Sequence, residues 1–249
     1  MINTDGLISK QLINLLGIAE KCVVAVIGCG GKTSLIELIS GKLLDKKVLV
    51  SPTTKMYPMR VPETVLCQTL QQCETHKPQT GIQCLGILNG QTGKLEPLPD
   101  YVLADMIPSY DITLLEADGS MGLPCKGWLD NEPVVPDYCT HTIGILTLRV
   151  IGKSATGAVA HRLPEFLSLT GLREGDTITA ETIESMVCSL QGMFRKSAGQ
   201  RYLVVNQAED SETMDVARSF LRTISEKYPN RFVRLIYGSV QLDQWYEVV

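Results

Sequence analysis

The chain has 249 residues, 44% of them hydrophobic and 20% charged, with a formal net charge of −4 and a pI near 5.5. That apolar share can fill a core and excludes a disordered tail protein, and the acidic balance argues against general nucleic-acid binding. No stretch is apolar for long enough to span a bilayer, and the first residues lack the basic and apolar regions of a signal peptide, so a cytoplasmic protein with no membrane attachment is expected.

In chain order, Leu7, Ile8, Leu12, Ile13, Leu15 and Leu16 have helical spacing that stops at Gly17. Next comes the most informative stretch, Cys22-Val-Val-Ala-Val-Ile-Gly-Cys-Gly-Gly-Lys-Thr-Ser34. An apolar, β-branched run from Cys22 to Ile27 reads as a strand, and Leu35 to Leu44 reads as a helix. Strand, glycine loop, Lys-Thr and helix form the phosphate-cradling P-loop arrangement. The loop Gly28, Cys29, Gly30, Gly31 would offer backbone N–H groups to phosphate oxygens, and the helix N-terminus through Ser34 would add more. Lys32 would reach the β- and γ-phosphates, and the Thr33 hydroxyl would ligate Mg²⁺. The motif is shortened, because the position of its first glycine is Val26, inside the strand.

A strand over 47–51 runs into Thr53, Thr54 and Lys55, either an ordinary polar loop or hydroxyls and a cation facing the nucleotide from a strand end. Pro58, Pro62 and Pro78 mark an irregular connection with a short strand around 64–68. A strand over 81–88, a tight turn at Asn89-Gly90 and a return at Lys94-Leu95 predict a hairpin, followed by a short helix over 100–106. The strand 112–115 ends in Glu116-Ala117-Asp118-Gly119. Residues i and i+2 of a strand share a face, so Glu116 and Asp118 are expected to point together, one on the Mg²⁺ and the other on a water or substrate. Otherwise Asp118-Gly119 is only a turn. Lys126 is a candidate anion contact. Cys125 beside it is read as inert, and the eight cysteines, with no Cys-x-x-Cys pair, as free thiols.

A strand over 142–148 and a Gly/Ser loop lead to His161-Arg162, candidates for reaching the nucleotide or a substrate, and to a helix over 163–169. Ile183, Met186, Val187 and Leu190 lie on one face of a helix over 180–190 that Thr179 can cap. The strand 202–206 leads into Asn206-Gln207-Ala208-Glu209-Asp210, where GTP-binding P-loop proteins carry Asn-Lys-x-Asp. Asp210 or Ser211 is read as the cap of a helix over 212–227, with Asn206 a candidate base contact. The last strand is 232–237, and the tail with Trp245 is expected to pack. About seven strands alternating with helices predict an α/β fold, a mostly parallel sheet with helices on both faces, P-loop NTPase-like, as a single domain over 1–249.

Gly28-Cys-Gly-Gly-Lys-Thr33, the turn Thr53-Thr-Lys-Met56, Leu115-Glu-Ala-Asp-Gly-Ser120 with Pro124 and Lys126, Glu132-Pro133, His161-Arg162 and Val205-Asn-Gln207 come in the order found in the YqeC family. The resemblance spans nearly the whole chain. It implies a P-loop fold and an accessory role in maturing the selenium-containing molybdenum cofactor of hydroxylases, with such a hydroxylase or its maturation proteins as partners. Pro52, where the family often has Thr, and the displaced Asp210 depart from its pattern. The shortened loop is also similar to that of Mur ligases, which form an acyl-phosphate from ATP. Three functions therefore compete: a nucleotide-hydrolysing accessory protein using ATP or GTP with Mg²⁺, an ATP-dependent ligase or kinase for a small molecule, and a nucleotide-gated binding module with little turnover.

Overall fold

The computed structural model describes residues 10–59, 64–67 and 69–248. One ten-stranded sheet organises them. Its parallel part runs, in spatial order, β3 (Thr64–Cys67), β4 (Gly81–Leu88), β2 (Lys47–Pro52), β6 (Ile112–Glu116), β1 (Cys22–Gly28), β8 (His141–Thr147), β10 (Gln200–Asn206) and β11 (Arg234–Ser239). Two short antiparallel strands finish it: β5 (Leu95–Glu96) on β4 and β12 (Gln244–Glu247) on β11. The α/β architecture expected from the alternating pattern is therefore the observed one. The tail read only as packed is the edge strand that buries Trp245.

The central strand β1 is buried along its whole length, which is why its sequence is a continuous apolar run rather than an alternating one. Successive residues serve opposite faces. Val24 and Val26 pack with α1 (Gln11–Leu15) and α2 (Lys32–Gly41) through Leu12, Ile13, Leu35, Ile36 and Ile39. Val23, Ala25 and Ile27 pack with α4 (Asp100–Met106), α5 (Leu163–Thr170), α6 (Ala180–Cys188) and α7 (Ser211–Lys227). A further one-turn helix, α3 (Leu70–Glu74), precedes β4.

Several local expectations move. Leu7 and Ile8 of the first predicted helix, and Gln68 of the short strand, lie outside the described residues. The helix expected to reach 190 ends at Cys188, because Ser189 leaves it with extended geometry. Met193 N–H then bonds back to Met186 O. Leu190, read as a core residue, is consequently 85% exposed. Asp210 caps α7 through a capping box with Thr213, as its position suggested.

Outside the main sheet, β7 (Cys125–Lys126) and β9 (Ala160–His161) form a two-residue parallel ladder that sets Lys126 beside His161. No helix among the described residues is long and apolar enough to cross a membrane.

Candidate functional site

The carboxyl ends of five parallel strands converge on one cleft of about 820 Å³. After β1 it is lined by Gly30, Gly31, Lys32, Thr33 and Ser34, after β2 by Thr54 and Lys55, and at the end of β6 by Glu116 and Ser120. Thr147 at the end of β8, Gln207 after β10, and Glu132 with Arg162 also line it.

The glycine loop is shaped by backbone positions that only glycine adopts freely. Gly28 has φ 99° and Gly30 φ 115°. A Cβ on Gly28 would lie 2.4 Å from Ile145 O, and one on Gly30 would lie 2.9 Å from Thr147 N. The loop is pressed against β8, tied there by Cys29 N–H to Ile145 O at 2.9 Å. Helix α2 starts at Lys32 with Gly31 as its cap residue and no side chain capping it. Its first-turn N–H groups and the positive end of its dipole therefore face the cleft.

Two carboxylates sit beneath this loop with different tasks. Thr33 Oγ1 donates to Glu116 Oε2 at 2.6 Å. Burial pushes the Glu116 carboxyl up from its ordinary value, against the opposing pull of Lys32 and the Thr33 hydroxyl. Asp118 is fully buried. It accepts the Gly28 N–H at 3.0 Å and Trp128 Nε1–H at 3.0 Å, and it pairs with Lys32 at 3.2 Å and Lys126 at 3.5 Å. Both carboxylates act on Lys32, but β6 ends at Glu116, and of the two only Glu116 lines the cleft while Asp118 is buried behind it.

Lys32 also donates to Gly28 O at 2.7 Å and to Ser120 Oγ at 3.2 Å. Burial works against its charge, but Asp118 and Glu116 outweigh it and hold the ammonium above its usual pKa, so Lys32 is a cation at neutral pH. Cys29, pushed up to about 12 by burial, is a neutral thiol. Cys125 is buried and its thiol is pushed up as well, in line with the inert role read for it. All eight cysteines are free and buried.

The candidates fall into two layers. Gly30, Gly31, Lys32, Thr33, Ser34, Thr54, Lys55, Glu116 and Arg162 line the cleft. The others stand behind it. Thr53 Oγ1 donates to Val134 O at 2.6 Å. Asn206 is buried, its Nδ2 donating to Gly30 O at 2.8 Å and its Oδ1 accepting Val240 N–H at 2.9 Å, so the amide ties the glycine loop to the segment after β11. Lys126 is wholly buried, donating to Gly119 O at 2.6 Å and pairing with Glu132 at 3.3 Å, so it supports the cleft without reaching it. His161 accepts from Arg162 Nε at 3.3 Å, and burial with the neighbouring Lys126 and Arg162 lowers its pKa.

Sequence reasoning gave no role to Trp128, which holds Asp118, or to Glu132, which bridges Lys126 and Arg162 at 3.3 and 2.8 Å. It also passed over Tyr57 and Lys94, which line the cleft, with Lys94 over the Tyr57 ring at 4.8 Å. An isolated Trp or Glu in a loop carries no spacing signal, whereas Glu132-Pro133 at least stood among the resembling motifs.

A divalent metal fits the oxygen donors at Thr33 and Glu116, both hard ligands. Among the described residues no three His, Cys, Asp or Glu side chains gather to hold a metal. A metal at Thr33 and Glu116 would take its other ligands from phosphate and water, the habit of Mg²⁺.

The family model of the YqeC protein matches residues 24–164, which span the glycine loop, both carboxylates, Lys126, Glu132 and Arg162. The uncharacterized protein YqeC of Escherichia coli (strain K12) is 27% identical over 195 residues, covering 75% of each chain. The chain belongs to the YqeC family.

Proposed function

We propose that the chain binds the Mg²⁺ complex of a nucleoside triphosphate, ATP or GTP, at the glycine loop. In this proposal it hydrolyses the nucleotide slowly, as an accessory protein in maturing the selenium-containing molybdenum cofactor of molybdenum hydroxylases. The observation that carries the nucleotide part is the 2.6 Å approach of Thr33 Oγ1 to Glu116, at the uncapped N-terminus of α2, in a cleft that also holds Lys32. The metal would neutralise charge on the outer phosphates when bound. The chain's own residues do the rest. Loop and helix N–H groups bind phosphate oxygens, Lys32 supplies a fixed cation, and Thr33 and Glu116 present the metal ligands. The accessory role is supported by the run of YqeC-like motifs.

Calorimetry with Mg²⁺–ATP and Mg²⁺–GTP on the parent and on Lys32→Ala tests it. A buried charge-assisted contact is worth about 1.5–3 kcal/mol, so the variant is expected to bind roughly 10- to 150-fold more weakly. The fold is retained because Lys126 still faces Asp118. Turnover by the isolated protein is expected far below the usual enzyme median of about 10 per second and is raised by the client hydroxylase. Equal affinity in parent and variant refutes the nucleotide site. The same cleft is also lined by Lys55, Tyr57 and Lys94, groups that a second molecule could meet. Efficient phosphorylation or ligation of a defined metabolite would therefore move the function to the kinase or ligase class, and binding without turnover to a nucleotide-gated module.

A further inference from the structure

We infer that the cleft holds a second oxyanion subsite, at Arg162, which takes a phosphate or carboxylate group opposite Lys32. It rests on the nucleotide site proposed above and deepens it.

Arg162 lines the cleft, yet its Nη1 is buried and has no hydrogen-bond partner. Its other nitrogens are engaged, Nη2 with Glu132 Oε1 at 2.8 Å and Nε with His161 Nε2 at 3.3 Å. A guanidinium with two corners fixed and one corner unsatisfied is pre-organised for an oxygen acceptor, and buried donors are rarely left unpaired without a functional reason. A second buried orphan, Thr54 Oγ1, lines the same cleft. Its turn is joined to the 132–134 segment by Thr53 Oγ1 donating to Val134 O at 2.6 Å, so both orphans belong to one wall. Arg162 is also held at φ 57°, ψ 60°, a left-handed conformation uncommon for arginine.

Charge points the same way. Lys32, Asp118, Lys126, Glu132 and Arg162 form one alternating chain with links of 3.2, 3.5, 3.3 and 2.8 Å. Within the chain three cations face two carboxylates, and Glu116, which also attracts Lys32, accepts the Thr33 hydroxyl. Both free ends of the chain, Lys32 and Arg162, open on the same cleft. The oxyanion has two sources, the terminal phosphate of the bound nucleotide or a phosphate or carboxylate carried by a second small molecule.

The test titrates inorganic phosphate by calorimetry into the Mg²⁺–nucleoside diphosphate complex of the parent, R162Q and R162K. The parent is expected to bind phosphate and R162Q to bind it about 10- to 100-fold more weakly, the loss of one charge-assisted hydrogen bond. R162K, which keeps the charge on Glu132 but not the fork, falls between, and diphosphate affinity stays the same in all three. The titration is then repeated with a non-hydrolysable triphosphate analogue. If the analogue abolishes phosphate binding and itself binds R162Q more weakly, the subsite takes the nucleotide's own terminal phosphate. If phosphate still binds on top of the analogue and R162Q loses it, the subsite serves a second molecule. Phosphate and analogue affinities equal in parent and both variants overturn the subsite. So does a diphosphate affinity that falls in parallel, which would make Arg162 a structural tie. A parent that binds neither nucleotide refutes the nucleotide site instead, and phosphate titrated into the free protein then decides the Arg162 subsite alone.

Discussion

Asp118→Asn is the substitution that separates an anchor from a metal ligand. The wild-type carboxylate receives two N–H donors, from Gly28 and Trp128, both at 3.0 Å, and stands between Lys32 and Lys126. Asparagine keeps the volume, but either orientation of its amide turns an N–H toward groups that are themselves donors, and the negative charge is gone. Lys32 is 5% exposed and Lys126 0%, so water cannot replace it. Removing one partner of a buried ion pair costs about 3–5 kcal/mol, and an orphaned buried donor about 1–3 kcal/mol. These overlap here because the same oxygens serve both, so about 3–5 kcal/mol is expected in all. That is a large part of the roughly 5–15 kcal/mol that stabilises a folded domain. At about 2–4 °C per kcal/mol for a chain of this size, Tm should fall by roughly 6–20 °C. Scanning calorimetry and urea midpoints of parent and variant, without nucleotide or metal, measure it. A variant within about 0.5 kcal/mol of the parent that has nonetheless lost Mg²⁺-dependent nucleotide binding would refute the anchoring role and make Asp118 a metal ligand.

Glu116→Gln should behave in the opposite sense, losing about 10-fold or more in Mg²⁺-dependent nucleotide affinity while gaining roughly 0.5–2 kcal/mol of stability, as removal of functional strain commonly does. Burial raises the folded-state pKa of Glu116 above the ordinary carboxylate value, so its ionisation costs nothing below that ordinary value, costs progressively more as pH rises through the folded pKa, and costs the full amount above it. The variant's advantage in urea midpoint should therefore be present at pH 7 and vanish in acid, and a variant less stable than the parent at pH 7 would contradict this sign. Asn206→Ala should leave Gly30 O and Val240 N–H unpaired, at about 1–3 kcal/mol, and weaken ATP and GTP by the same factor. A changed ATP-to-GTP ratio with unchanged stability would return Asn206 to base recognition.

Much of the fold was legible because it is carried by local pattern. Strands buried on both faces are continuous apolar runs, as in Cys22–Ile27, and helices show their stripes, as Ala217, Phe220, Leu221 and Ile224 do in α7. What pattern could not supply was pairing at a distance. The ladder of Cys125–Lys126 on Ala160–His161 is two residues long, too short for any periodicity, yet it brings Lys126, His161 and Arg162 to one wall. Leu190 failed for a related reason. Its spacing fits the face of α6, but the helix is ended by a turn in which Gly192 N–H bonds to Ser189 O and Met193 N–H to Met186 O, and spacing is blind to them.

The cleft itself was legible as far as backbone chemistry reaches, because glycines at 28, 30 and 31 with Lys32 and Thr33 constrain the chain directly. The acidic residues were harder. Two carboxylates at i and i+2 after a strand read as partners only while the strand continues, and the ladder to β1 ends at Val26 and Glu116. Ala117 is still held, its N–H on Val26 O and its O accepting Val134 N–H, but the next residue is free to turn. It turns under the glycine loop, where the N–H of Gly28 meets it. Val26, which occupies the place of the motif's first glycine, lies inside β1, so the turn begins only at Gly28. The N–H that opens this shortened loop is thus satisfied by a protein carboxylate, and the groups that follow it are the ones the proposed phosphate would take. Asp118 then holds the loop from behind while Glu116 lines the cleft, a difference that depends on where one strand ends and that no count of acidic residues expresses.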